Sequence, residues 1–121
     1  MGRKRILVVD DEPKICELVR AMLELDHHSV ETATSGSEAL HKFDQESFQV
    51  VFTDYLMPGM AGDAVAKAIK SRAPHAKIIL LSACPPSRPP RELDYILMKP
   101  FTPLDLRMAI EKVTAEPKAA A

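Results

Sequence analysis

Neither sign of charge prevails in this chain. Sixteen Lys and Arg stand against 17 Asp and Glu, a formal net charge of −1. The two signs are interspersed, so there is no extended basic surface to neutralise the phosphates of a nucleic acid, and direct nucleic-acid binding by these residues is not expected. Long apolar runs are missing as well: none approaches the roughly 20 residues of a membrane-spanning helix. The opening "MGRKRI" has neither the apolar region of a signal peptide nor the hydroxyl residue that myristoylation requires at Ile6. A cytoplasmic location without membrane insertion is expected. Cysteine is scarce. Cys16 and Cys84 lie far apart with no Cys-x-x-Cys or Cys/His ligand spacing, which gives no framework for disulfides or structural zinc and reads both as buried or spectator thiols.

What is present is an alternation. The 121 residues match one ordinary domain, and a hydrophobic content of 46% is enough for a real core. The expected domain covers residues 1–116, with 117–121, the end of "AEPKAAA", as a tail or the start of a linker. Five short runs rich in Val, Ile and Leu read as strands: "RILVVD" ending at Asp10, "SVETA" around Val30, "QVVFTD" ending at Asp54, "KIILLS" ending at Ser82 and "YILMK" ending at Lys99. Amphipathic segments lie between them. Ile15, Leu18, Val19 and Met22 form one helical stripe behind Pro13. Ser35 and Glu38 form a capping box ahead of Ala39, Leu40 and Phe43. Val65, Ala68 and Ile69 mark a helix after the "MPGMAG" turn, and Thr102 with Pro103 opens a last one carrying Leu106, Ala109, Ile110 and Val113. Such an alternation predicts an α/β fold: a doubly wound, flavodoxin-like parallel sheet of strand order 2-1-3-4-5.

Ligands of such sheets bind beyond the carboxyl ends of the strands, where this chain carries Asp10, Asp11 and Glu12, then Asp54, Ser82 and Lys99. Each has an ordinary explanation taken alone: Asp11 as a helix cap, Asp54 as the start of a turn, Ser82 as the close of a strand. Together they say more, because strands one and three are neighbours in the predicted order and would crowd Asp10, Asp11 and Asp54 into one cleft. Like charges that close need a neutraliser. A magnesium ion, held by oxygen ligands and a phosphoryl group, fits better than calcium, which would want an EF-hand-like ligand set, or zinc, which would want imidazole or thiolate. Lys99 and the Ser82 hydroxyl could bind an anion opposite the metal. The set suits phosphoryl transfer to an aspartate.

"ILVVDDEP", "VFTDYLMPGMAG", "IILLSA" and "MKPF" stand in this order along the chain, and with them the sequence resembles the receiver domain of two-component response regulators over nearly its whole length. The resemblance implies that Asp54 accepts phosphate from a sensor histidine kinase or a histidine phosphotransfer protein. It implies that Asp10, Asp11, Asp54 and the Leu56 carbonyl hold Mg2+, that Lys99 and Ser82 contact the phosphoryl group, and that a cis peptide precedes Pro100. Leu56 and Cys84 would flank the hydrolytic water, and as weak water-positioning groups they imply slow dephosphorylation. His27, His28, His41 and His75 are not read as phosphodonors or metal ligands.

The chain departs from the family in two places. The interval from Ser82 to Lys99 is several residues shorter than usual, and "ACPPSRPPRELD" places Pro85, Pro86, Pro89 and Pro90 where a fourth helix belongs. Each interior proline removes an amide donor and clashes with the preceding turn at about 3 kcal/mol. That helix is expected to be short or absent, replaced by a stiff extended loop with one turn near Arg91 to Leu93. The aromatic that the resemblance implies three positions before the lysine is Ile96 here, with Tyr95 one residue earlier and therefore on the opposite face. Two alternatives follow: a pseudo-receiver acting as a phosphorylation-independent binding module, and a magnesium-dependent phosphatase. The phosphatase is disfavoured because no carboxylate follows two residues after Asp54.

Overall fold

A computed structural model describes residues 2–84 and 86–115; Pro85, the expected domain end at 116 and the tail 117–121 lie outside them. The elements alternate as β1 (Arg5–Val9), α1 (Pro13–Glu24), β2 (Ser29–Ala33), α2 (Gly36–Gln45), β3 (Val50–Asp54), α3 (Gly62–Arg72), β4 (Lys77–Ser82), β5 (Tyr95–Met98) and α4 (Pro103–Thr114). All strand pairs are parallel, in the order β2-β1-β3-β4-β5. The central strands β1, β3 and β4 are apolar with little alternation because both their faces are covered. Ile6, Val8, Phe52, Ile79 and Leu81 turn toward α1 and α4, while Leu7, Val9, Val51 and Ile78 turn toward α2 and α3. Each strand thus divides its side chains between two cores.

Most helix faces follow the expected periodicity, with two corrections. In α1 the buried line is Cys16, Val19 and Leu23, while Leu18 is 48% exposed. Ile15 and Met22 pack against the core as expected, and Cys16 joins it with its thiol near the Asp10 and Ala33 carbonyls, 3.3 and 3.6 Å away. In α2 the Ser35 hydroxyl accepts from the Glu38 amide as expected (3.1 Å), but the Glu38 carboxylate reaches past it to the Thr34 amide (2.6 Å). The full reciprocal box forms instead at α4, between Thr102 and Asp105. Strands one and five end one residue sooner than expected, at Val9 and Met98, so Asp10 and Lys99 are the first residues of the loops that follow.

Between β4 and β5 the described residues form no helix, only a turn at Arg91 and Glu92 in which the Leu93 amide donates to the Pro90 carbonyl (3.2 Å). Tyr95 and Leu97 pack toward α1 and α4. Ile96, between them, takes the other face. The peptide between Lys99 and Pro100 is cis.

His28 is buried beside β1, and its Nδ1 accepts from the Lys4 amide at 3.0 Å while Nε2 has no partner. The neutral ring with its proton on Nε2 fits this arrangement, since a charged ring would turn an N–H toward the Lys4 N–H. Burial pulls the His28 pKa below its ordinary value and the Lys4 charge adds to this, against the opposing pull of Asp26. A histidine depressed on folding binds its proton more readily in the unfolded chain. Its stabilising contribution is therefore complete above about pH 6.5 and is lost as the pH falls below that. Urea unfolding is expected to show lower stability at pH 5.5 than at pH 7.5, with a smaller difference in His28→Gln; identical pH profiles for the two proteins would remove His28 as a cause.

Candidate functional site

Register builds the site. Val9 lies beside Thr53 in the β1–β3 ladder, so the next residues along, Asp10 and Asp54, emerge side by side at the carboxyl edge of the sheet. Asp11 follows in the loop to α1, and one oxygen from each of the three carboxylates falls within 4.8 Å of the others. Asp11 does not cap α1, because the residue before that helix is Glu12, which itself makes no side-chain cap bond. From the end of β5, Lys99 extends its ammonium between two of the acids, 3.4 Å from Asp10 Oδ2 and 3.2 Å from Asp54 Oδ1.

The environment of each group differs. Asp10 is almost wholly buried and its Oδ1 accepts from the Glu12 amide at 2.9 Å. Burial raises its pKa above the ordinary carboxylate value; the Glu12 amide and the Lys99 charge oppose this, and the Asp54 carboxylate reinforces it. For Lys99, burial alone would lower the pKa, but the charges of Asp10 and Asp54 outweigh it and hold the ammonium above its ordinary value. Asp54 keeps a small opening to solvent, with 13% of its side chain exposed. Its Oδ1 accepts from both Lys99 and the Tyr55 amide (3.0 Å), and no donor among the described residues reaches Oδ2. One oxygen is anchored and the other is available.

Of the residues singled out from sequence, Asp10, Asp11, Asp54 and Lys99 come together directly. Ser82 ends the adjacent strand, buried, with its hydroxyl oxygen accepting from the Cys84 amide at 3.1 Å and its carbonyl accepting from the Lys99 amide at 2.9 Å. Leu56 lies in the loop after Asp54 with its side chain 69% exposed. Three oxygen-bearing carboxylates, with no nitrogen or sulfur donor in the cluster, suit a hard divalent cation.

Sequence reasoning passed over Gly62. Its amide donates to the Tyr55 carbonyl at 2.8 Å and closes the loop that leaves the acid. A Cβ there would run into the Asp54 carbonyl oxygen and come within 3.0 Å of Tyr55 Cα and of Leu80 Cδ1. The signal was the second glycine of "MPGMAG", placed at the first turn of a helix where alanine would serve if space allowed.

The family model described as response regulator receiver domain matches residues 6–111. The chain belongs to this family. Its fold agrees: the receiver resembles the response regulator TrrA of Thermotoga maritima, solved in complex with Mg(2+)-BeF, at 39% identity and a TM-score of 0.83, over 91% of this chain and 98% of that one. A further structure, the histidine kinase ThkA in complex with TrrA, matches at 38% identity and a TM-score of 0.81, over 93% of this chain and 99% of the matched chain. Among curated relatives, the alkaline phosphatase synthesis transcriptional regulatory protein PhoP of Bacillus subtilis is 30% identical over 98% of this chain and 51% of its own length. The regulatory protein VanRB of Enterococcus faecalis is 30% identical over 92% and 51%. The receiver thus spans about half the length of these two relatives. No helix among its described residues is long and apolar enough to cross a membrane.

Because α3 packs directly against the end of β3, Gly62→Ala is expected to cost about 1–3 kcal/mol through forced overlap with backbone. Chemical denaturation checks this; a variant as stable as the parent would show that α3 can move aside freely.

Proposed function

We propose that this receiver is a phosphoacceptor that works in the cytoplasm: Asp54 takes a phosphoryl group from a phosphohistidine of a sensor histidine kinase or histidine phosphotransfer protein, and the charge so added switches a protein-interaction surface. The observation that carries this reading is the contact of Lys99 with both Asp10 and Asp54, made to Oδ1 of Asp54, with no donor among the described residues on its Oδ2. Asp54 Oδ2 attacks phosphorus, the N–P bond of the phosphohistidine breaks, and its electron pair returns to the imidazole nitrogen, which takes up a proton from solvent. The product is an acyl phosphate on Asp54. Lys99 holds positive charge against the transferring oxygens, and Ser82 donates its hydroxyl proton to one of them while its oxygen keeps the Cys84 amide.

The donor set of Asp10, Asp11 and Asp54 fits Mg2+, and the Leu56 carbonyl would be a further ligand. Bound there, the ion would supply positive charge against the phosphoryl oxygens. The chain acts as acceptor of its phosphoryl group and not as an enzyme turning over a substrate. Of the two longer relatives, PhoP is a transcriptional regulatory protein by name, and for this protein the regulated process would reside in a partner or in further chain.

A second reading has one observation in its favour. The absence of a helix among the described residues between β4 and β5, with Ile96 rather than an aromatic on the outer face, removes much of the surface that a phosphorylation switch would move, as in a binding module that ignores phosphate. One experiment separates the two. Incubated with Mg2+ and acetyl phosphate, the protein is expected to gain the mass of one phosphoryl group, and Asp54→Asn is expected to gain none; no gain, or a gain that survives the substitution, favours the second reading. Leu56 and Cys84 offer the hydrolytic water little to hold it, so the phosphorylated form is expected to persist for many minutes after donor removal. A half-life of seconds would contradict that assignment.

A further inference from the structure

With no helix described between β4 and β5, something else has to hold the short strand β5 in place, and Asp94 carries three contacts that do so. Its amide donates to the Ile78 carbonyl at 2.8 Å. Its Oδ2 accepts from the Ile78 amide, also at 2.8 Å, and pairs with Lys70 Nζ of α3 at 2.9 Å. The Ile78 amide lies one residue before the first ladder pair, Ile79 with Tyr95, so a side chain supplies the acceptor that a neighbouring strand would otherwise provide. Lys70 and Asp94 are only 19% and 24% exposed, which spares their pairing much of the solvent screening that weakens surface bridges.

The far end of the same strand carries the reactive cation. The four residues of β5 separate Asp94 from Lys99, whose amide is tied to the Ser82 carbonyl. Besides its ladder to β4 and the packing of Tyr95 and Leu97, a strand this short depends on the clamp at its start, and a slip of one residue would reverse every side chain on it. We propose that Asp94 is a positioning residue for Lys99: the clamp of Lys70, Asp94 and Ile78 keeps β5 in register in place of the packed helix that the proline-rich connection does not form.

The clamp rests on the phosphoacceptor reading only through its kinetic test, and a second readout stands without it. In the full 121-residue chain, Asp94→Ala is expected to lower the rate constant for phosphorylation by acetyl phosphate about tenfold, since small misplacements of a catalytic group cost one to two orders of magnitude. The Mg2+ affinity, from calorimetric titration, is expected not to fall, because its ligands are carried by β1, β3 and their loops, and a displaced Lys99 would only withdraw a competing positive charge from Asp10 and Asp54. Deuterium exchange at the Lys99 amide is expected to accelerate. Asp94→Asn keeps an oxygen for the Ile78 amide and is expected to remain within about threefold of the parent rate. A folded Asp94→Ala with the parent's rate constant and the parent's Lys99 exchange overturns the proposal, and so does a matching loss of Mg2+ affinity, which would mark general loosening. Should the alanine variant not fold, Lys70→Met takes its place: faster Lys99 exchange supports the clamp and unchanged exchange overturns it. If the parent itself takes up no phosphate, the phosphoacceptor reading fails, and Lys99 exchange alone decides the role of Asp94.

Discussion

The site depends on the ammonium of Lys99 lying between the carboxylates of Asp10 and Asp54. Two acids at the end of neighbouring parallel strands repel one another, and burial sharpens the repulsion by withdrawing water from Asp10. Unit charges about 4 Å apart interact by roughly 4 kcal/mol at an effective dielectric near 20, and taking each out of water costs several kcal/mol in return. The lysine contributes both attractions at once, which makes the cluster tolerable and still leaves it short of positive charge: among the described residues, Lys99 is the one base paired with any of Asp10, Asp11 and Asp54. That deficit is what a divalent cation would fill.

Everything else in the fold serves to bring those four side chains to one rim. The central strands β1, β3 and β4 are buried on both faces, and their two cores divide odd from even positions along each strand. A residue-by-residue alternation of this kind leaves no freedom to shift register without exposing half of each core. The packing of Val9, Thr53 and their neighbours therefore brings the Asp10 and Asp54 backbones to the rim, and the Glu12 amide, the Tyr55 amide and Lys99 then fix their carboxylates. Gly62 adds a constraint from outside the sheet, since only an absent side chain lets α3 start against the Asp54 backbone.

The connection from β4 to β5 shows how a receiver can lose one element and keep its geometry. The described residues of the connection form no helix, yet Tyr95 and Leu97 still reach the core shared by α1 and α4, and the carboxylate of Asp94 fastens the start of the strand to β4 and α3. The outer face of β5 is left thinly covered, with Met98 48% exposed. Loss of the helix thus alters the surface a partner would meet more than the cleft where chemistry would occur.

The order of strands and helices was legible from sequence because burial on both faces writes itself as unbroken Val, Ile and Leu runs, and helical burial as a 3.6-residue period. The acids and the lysine were legible only as a set: each has an ordinary structural use alone, but acids crowded at the ends of neighbouring strands need a neutraliser. Pro13, Thr102 and Pro103 marked helix starts because capping is local chemistry. What sequence could not decide were choices set by distant partners. Leu18 and Cys16 have nearly equal claims to the core of α1 by spacing, and Cys16 takes the place, its thiol near the Asp10 and Ala33 carbonyls. Glu38 could reach either of two amides one residue apart. The burial of His28, the close approach at Gly62 and the attachment of Asp94 to Ile78 and Lys70 all arise between segments separated along the chain, where no local pattern records which neighbour folding will bring.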